Sequence, residues 1–107
     1  MRLVKDAHNY ARLSYYGVTC ARETQIAMDL ADEHHWNVTD QEAEITSVVD
    51  GTHSKHSRHY VGLAFDMRIW YITNLDDFVV WLRAHLGDGY DVVLESTHIH
   101  VEFDPER

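Results

Sequence analysis

Two stretches of the chain, residues 62–69 and residues 98–103, alternate between large apolar side chains and small or polar ones. Successive side chains on a β-strand point to opposite faces of the sheet, so this period of two predicts two half-buried strands. The apolar face of such a sheet needs other elements of the chain to cover it. The apolar positions of the two strands are Leu63, Phe65, Met67, Ile69, Ile99, Val101 and Phe103.

The remaining sequence supplies elements that can cover this face. Apolar residues recur at helical spacing in a segment of about 22–36, and Asn74 caps a second helix that ends at Gly87. Further strands are predicted at 44–49 and 90–94. This order of elements predicts an α+β fold, with a small, mainly antiparallel sheet of about four strands covered by two or three helices.

Length and composition limit the class of protein. A chain of 107 residues fits a single domain spanning 1–107. Its net charge of −9 argues against a nucleic-acid partner, and its apolar stretches fall short of the ~20 residues that span a membrane. The single cysteine excludes an internal disulfide framework. Because no apolar secretory core begins the chain, we expect synthesis in the cytoplasm. We also expect the protein to be a monomer.

The polar faces of the two alternating strands carry the chemically active side chains. The first strand presents a glycine and an alanine, followed by Asp66 and Arg68, and the second presents His98, His100 and Glu102. If both apolar faces meet in one core, Asp66, His98 and His100 share the opposite face. An ordinary solvated face accounts for Glu102 and for Arg68. It accounts poorly for an aspartate and two histidines beside two very small residues.

This set of side chains is typical of a metal site. An aspartate with two or three histidines suits Zn²⁺ with an open fourth position, which is the form of a catalytic zinc site. His59 lies seven residues before Asp66, in a histidine-rich stretch with His53 and His56. A turn at residues 60–62 would bring His59 back toward Asp66. The sequence therefore predicts a zinc site on the open face of the sheet.

Two motifs in this region resemble a known family. Residues 57–66 match the pattern S-x-H-x-x-G-x-A-x-D, and residues 95–100 end in H-x-H. Together they resemble the zinc D-alanyl-D-alanine carboxypeptidases and related murein peptidases, a group that is similar to lysostaphin-type enzymes and to the amino-terminal domain of hedgehog proteins. The resemblance extends over residues of about 45–104, a little over half of the chain.

The resemblance implies specific roles for the matching residues. It implies one Zn²⁺ held by His59, Asp66 and His100, with His98 beside the metal to polarise the reacting carbonyl. Glu95 resembles the general base of the E-x-x-H form of the family, in which the ligand is His98 instead of His100. Both assignments of the third ligand stay open, as do Glu95 and His98 as the base. Glu95 reaches the face of His98 only if the two residues between them turn or bulge.

The resemblance also implies a substrate and a reaction. The expected activity is zinc-dependent hydrolysis of peptidoglycan stem or cross-link peptides, either as a D-Ala-D-Ala carboxypeptidase or as an L-Ala-D-Glu type endopeptidase. Ser57 matches a substrate-binding position, and Arg68 is the candidate cation for a substrate carboxylate. The small size and the expected cytoplasmic synthesis fit a phage endolysin that acts on the bacterial cell wall. The alternative is a hedgehog-like zinc-binding interaction module without peptidase activity.

Overall fold

The computed structural model of the chain describes residues 1–5, 7, 22–48 and 63–105. The described residues form two helices and a mainly antiparallel sheet, which confirms the predicted α+β class. In chain order they are β1 (Arg2–Leu3), α1 (Arg22–Thr39), β2 (Glu44–Ser47), β3 (Ala64–Arg68), α2 (Leu75–Leu86), β4 (Tyr90–Leu94) and β5 (His98–Phe103).

The strands form one sheet of five, in the order β1-β2-β3-β5-β4. The pairings β2–β3, β3–β5 and β4–β5 are antiparallel, as predicted, whereas β1 pairs with β2 in parallel, so the sheet is mixed. The sequence predicted about four strands, which is one fewer than the five strands of the sheet. The missing strand, β1, has two residues, which is too short for an alternation of apolar and polar side chains to be recognised.

Helix α1 buries one face along its length and ends later than predicted. Its buried residues recur every three or four positions, as expected for an amphipathic helix. The helix continues to Thr39, beyond the predicted end at Trp36. It stops where Asp40 adopts a positive φ of 59° and donates its backbone N–H to the carbonyl of Trp36 at 2.9 Å. An aspartate in this conformation is a weaker sequence signal than a glycine, so the boundary was missed.

Helix α2 begins and ends at the predicted residues. The side chain of Asn74 accepts a hydrogen bond from the backbone N–H of Asp77 at 3.1 Å, which caps the first turn. At the other end, Gly87 has a φ of 84° and donates its N–H to the carbonyl of Arg83 at 3.0 Å. Neither helix in the described ranges has the length and apolar character needed to cross a lipid bilayer.

The core lies between these helices and one face of the sheet. Phe65 and Met67 of β3 pair with Val101 and Ile99 of β5, and all four side chains are at most 1% exposed. Burial of each such side chain stabilises the fold by ~1.5–3 kcal/mol. They pack in one cluster with the apolar residues of both helices. Because side chains alternate along a strand, the polar residues of β3 and β5 lie on the other face.

Candidate functional site

The register between β3 and β5 brings the predicted polar residues together. Asp66 lies opposite His100, and Arg68 lies opposite His98. Glu102 follows on the same face of β5, opposite the alanine at the start of β3. Directly opposed residues in an antiparallel pair have Cβ atoms ~4.5–5.5 Å apart, which allows their side chains to interact. The site is therefore assembled from two neighbouring strands of the sheet.

Asp66 is the centre of this arrangement. Its Oδ1 is 2.8 Å from Nδ1 of His100 and 3.8 Å from Nε2 of His98. The Asp66 side chain is 15% exposed, whereas the side chains of His100 and His98 are 20% and 31% exposed. Each imidazole thus directs one ring nitrogen toward the same carboxylate oxygen, at the edge of solvent.

The second nitrogen of each imidazole has its own polar neighbour. Nδ1 of His98 lies 3.0 Å from the hydroxyl of Thr97, and Nε2 of His100 lies 3.1 Å from Oε1 of Glu102. His100 therefore bridges two carboxylates and donates to both when it is charged. The hydrogen bond to Asp66 raises the pKa of His100 to about 8, against the effect of burial and with a further contribution from Glu102.

A cavity of about 350 Å³ opens beside Asp66 and His98. Its wall combines two cations, three hydroxyl groups and an indole with the aspartate and the histidine. It is therefore rich in hydrogen-bond donors and suits a ligand with carboxylate or carbonyl oxygens. The lining residues are Lys5, Thr46, Ser47, Asp66, Arg68, Trp70, Thr97 and His98.

An irregularity in β2 contributes the hydroxyl groups on one side of this cavity. Ile45 pairs with Met67, but Ser47 pairs with Asp66, so Thr46 is an extra residue in β2. Such a bulge bends the strand and changes the direction of its side chains. Thr46 and Ser47 consequently both line the cavity.

Arg68 lies in the site but already has a partner. Its Nη1 is 3.0 Å from Oε2 of Glu44, and the two side chains are 18% and 14% exposed. Its guanidinium group also lies 4.0 Å from the centroid of the Trp70 ring. A substrate carboxylate would therefore have to share Arg68 with Glu44. Lys5, the other cation of the cavity, has no ion-pair partner among the residues that the structure describes.

Glu95 lies on the same face as His98, because the two residues between them form a turn. Residues Ser96 and Thr97 form the bend between β4 and β5, and the backbone N–H of Glu95 donates to the carbonyl of His98 at 2.8 Å. Since Val93 pairs with His100 in the same hairpin, Glu95 and His98 lie opposite each other on one face. The Glu95 side chain is exposed and does not line the cavity.

Two predicted site residues, Ser57 and His59, lie outside the described residues, as do His53 and His56. Within the described ranges, no group of three or more His, Cys, Asp or Glu side chains is placed to hold a metal ion. The predicted ligands that the structure does describe, Asp66 and His100, are neighbours.

A second cavity, of about 260 Å³, lies between the two helices, and its lining contains none of the predicted site residues.

Comparison of the chain with models of protein families, with curated proteins and with solved structures found no match. The resemblance to murein peptidases therefore rests on the two sequence motifs.

The sequence interpretation missed two contributors to the site. Glu102 was expected to be an ordinary solvated residue, yet its side chain is only 20% exposed and contacts His100. The i, i+2 spacing on a strand was a signal for this contact, because it places both residues on one face. Lys5 carried no such signal, since its position beside the cavity depends on the pairing of β1 with β2.

Proposed function

We propose that this chain is a zinc-dependent peptidase that hydrolyses peptide bonds of peptidoglycan. The observation that carries the proposal is the convergence of His98 Nε2 and His100 Nδ1 on Oδ1 of Asp66, beside a donor-rich cavity. The H-x-H and S-x-H-x-x-G-x-A-x-D motifs supply the reaction class. The cavity supports the proposal because its hydrogen-bond donors suit a substrate carboxylate beside Asp66 and His98.

A carboxylate and imidazoles are donors that zinc binds, and a third ligand from outside the described residues is needed because no described group of three is placed for a metal. His59 and Asp66 would hold the metal together with His100, or with His98 in the alternative assignment, and His59 lies outside the described residues. A carboxylate and two imidazoles leave the fourth position for water or substrate.

A bound zinc ion supplies a Lewis acid for the peptide carbonyl and lowers the pKa of a water molecule to ~7. Hydrolysis forms a C–O bond to that carbonyl and breaks its C–N bond. His98 or Glu95 accepts the proton that the attacking water loses and transfers it to the leaving amine. Thr97 holds Nδ1 of His98, so Nε2 is the nitrogen that faces Asp66 and the cavity.

The cations of the cavity favour a substrate with a carboxylate close to the scissile bond. In a D-Ala-D-Ala stem, the leaving D-Ala carries its terminal carboxylate. In an L-Ala-D-Glu bond, the D-Glu has two carboxyl groups. One of them continues the stem peptide, and the other remains a free carboxylate. Lys5 and Arg68 would bind this group, and the hydroxyl groups of the cavity wall would bind peptide carbonyls.

The experiment that tests the proposal is mass spectrometry of muropeptides after incubation with the protein. We expect cleavage that a chelator abolishes and that added Zn²⁺ restores, with the fragment masses identifying the bond. Asp66→Ala and His100→Ala should lose both zinc binding and cleavage. The matched control is His85→Ala, which removes an exposed histidine of α2 and should change neither. Cleavage that persists in chelator would overturn the proposal.

A further variant identifies the general base, and the wild-type protein separates an enzyme from a binding module. Glu95→Gln should retain zinc binding in either case. If Glu95 is the base, the variant should lose most of the cleavage, and if His98 is the base, its cleavage should stay largely intact. A wild-type protein that binds zinc tightly but cleaves no muropeptide would indicate the interaction module instead of the peptidase.

A further inference from the structure

Glu102 makes a specific contact that its position on an exposed sheet face does not require. Its Oε1 lies 3.1 Å from Nε2 of His100, and both side chains are 20% exposed. On the other side of the same ring, Nδ1 of His100 lies 2.8 Å from Asp66. The imidazole is thus held between a carboxylate on the neighbouring strand and a carboxylate on its own strand.

A neutral imidazole has one N–H and one free nitrogen, and only the free nitrogen can bind a metal. The acceptor that takes the N–H therefore decides which nitrogen is left for the metal. Asp66 is shared with the metal in the proposed zinc site. Glu102, at the opposite ring nitrogen, is placed to accept the N–H of His100 at 3.1 Å.

We propose that Glu102 is a positioning residue of the metal centre: it accepts the Nε2–H of His100 and so presents Nδ1 to the metal beside Asp66. This inference rests on the proposed zinc site. Without an acceptor at position 102, the ring can adopt the other tautomer or rotate, and part of the population is then unable to bind the metal. Such outer partners of ligating histidines typically contribute 10–100-fold to metal affinity.

The chain offers a matched control for the charge of Glu102. Asp91 of β4 pairs directly with Glu102 of β5, so the two carboxylates lie on the same face of neighbouring strands. None of the hydrogen bonds or ion pairs within the described residues links Asp91 to His100. Asp91→Asn therefore removes the same charge from the same face and leaves the acceptor of His100 in place.

The test measures zinc affinity by competition with a chromophoric chelator. We expect Glu102→Ala to weaken zinc binding by roughly 10–100-fold. Glu102→Gln keeps an acceptor oxygen and should stay within a few-fold of the wild type, as should Asp91→Asn. Circular dichroism of the metal-free variants shows whether each is folded. A folded Glu102→Ala protein that binds zinc as tightly as the wild type would overturn the inference.

Nitrogen NMR of the zinc-loaded wild type gives an independent readout. The spectrum should show His100 protonated at Nε2, with no proton on Nδ1. A proton on Nδ1 would overturn the role of Glu102 while leaving the zinc site itself intact. If the wild-type protein binds no zinc at all, the proposed function and this inference fail together.

Discussion

His100 makes the metal-free protein sensitive to pH in a narrow window. Its hydrogen bond to Asp66 raises its pKa to about 8, although burial opposes the shift, and Glu102 adds to it. In the unfolded chain the pKa of a histidine is ~6.5. Because the folded-state pKa is the higher one, the stabilisation is fully present below pH ~6.5 and is lost as the pH rises through about 8.

The magnitude follows from the two pKa values. A difference of roughly 1.5 pKa units corresponds to ~2 kcal/mol of unfolding free energy. The His100 side chain is 20% exposed, and screening by solvent reduces this value to roughly 1–2 kcal/mol. For a domain of about this size, such a loss lowers the melting temperature by about 4–8 °C.

The other groups within the described residues that have a shifted pKa act outside this window. Burial lowers the pKa of the Met1 amino group, but the hydrogen bonds and charges of Asp32 and Glu42 together outweigh burial and raise it above 8.0. Its contribution is therefore lost at higher pH. Burial, together with the charges of two neighbouring histidines, lowers the pKa of His34, so His34 destabilises the fold only as the pH falls below ~6.5. Among the groups of the described residues with a shifted pKa, His100 is the one that acts between pH 6.5 and 8.

The assay is urea unfolding followed by circular dichroism at several pH values between 6 and 9, with chelator present. The wild type should lose roughly 1–2 kcal/mol of unfolding free energy across the window. His100→Gln, which cannot be charged, is the matched control and should lose much less. Equal losses in the two proteins would refute the reasoning, because the pH dependence would then arise elsewhere.

Two further predictions concern substrate binding and the core. In a steady-state assay, Lys5→Gln should raise KM for a carboxylate-bearing muropeptide roughly tenfold, because it removes a cation of the cavity, and should leave zinc affinity unchanged. The control is Arg2→Gln, which removes a cation whose side chain is 64% exposed and should have no comparable effect. Leu82→Ala should lower the free energy of unfolding by ~2–5 kcal/mol because Leu82 is fully buried. The control is Val80→Ala on the same helix, where the side chain is 61% exposed and the free energy of unfolding should change by less than ~0.5 kcal/mol. Similar urea midpoints for the two variants would contradict the packing of α2.

Local chain geometry made much of the fold predictable. A period of two in 62–69 and 98–103 required only that each segment be extended, and it placed Asp66, His98 and His100 on one face. The caps of α2 were equally local, because Asn74 and Gly87 act on backbone groups within one turn of the helix. The end of α1 was not predictable in this way, since Asp40 adopts a conformation that glycine adopts more readily.

Contacts between distant segments were decided by the tertiary structure. Alternation assigned Asp66 and His100 to one face, but only the register of β3 against β5 placed them directly opposite each other. The partner of Arg68 likewise proved to be Glu44, from a strand that the sequence did not connect with it.

The physical reason for this division is the range of the interactions. The face on which a side chain lies follows from backbone geometry that repeats every two residues, so the sequence alone determines it. The register is set by how Phe65, Met67, Ile99 and Val101 pack in the shared core, and a slip of one residue would turn each side chain to the other face. The sequence therefore determined which residues were available for a site, and core packing decided which of them meet.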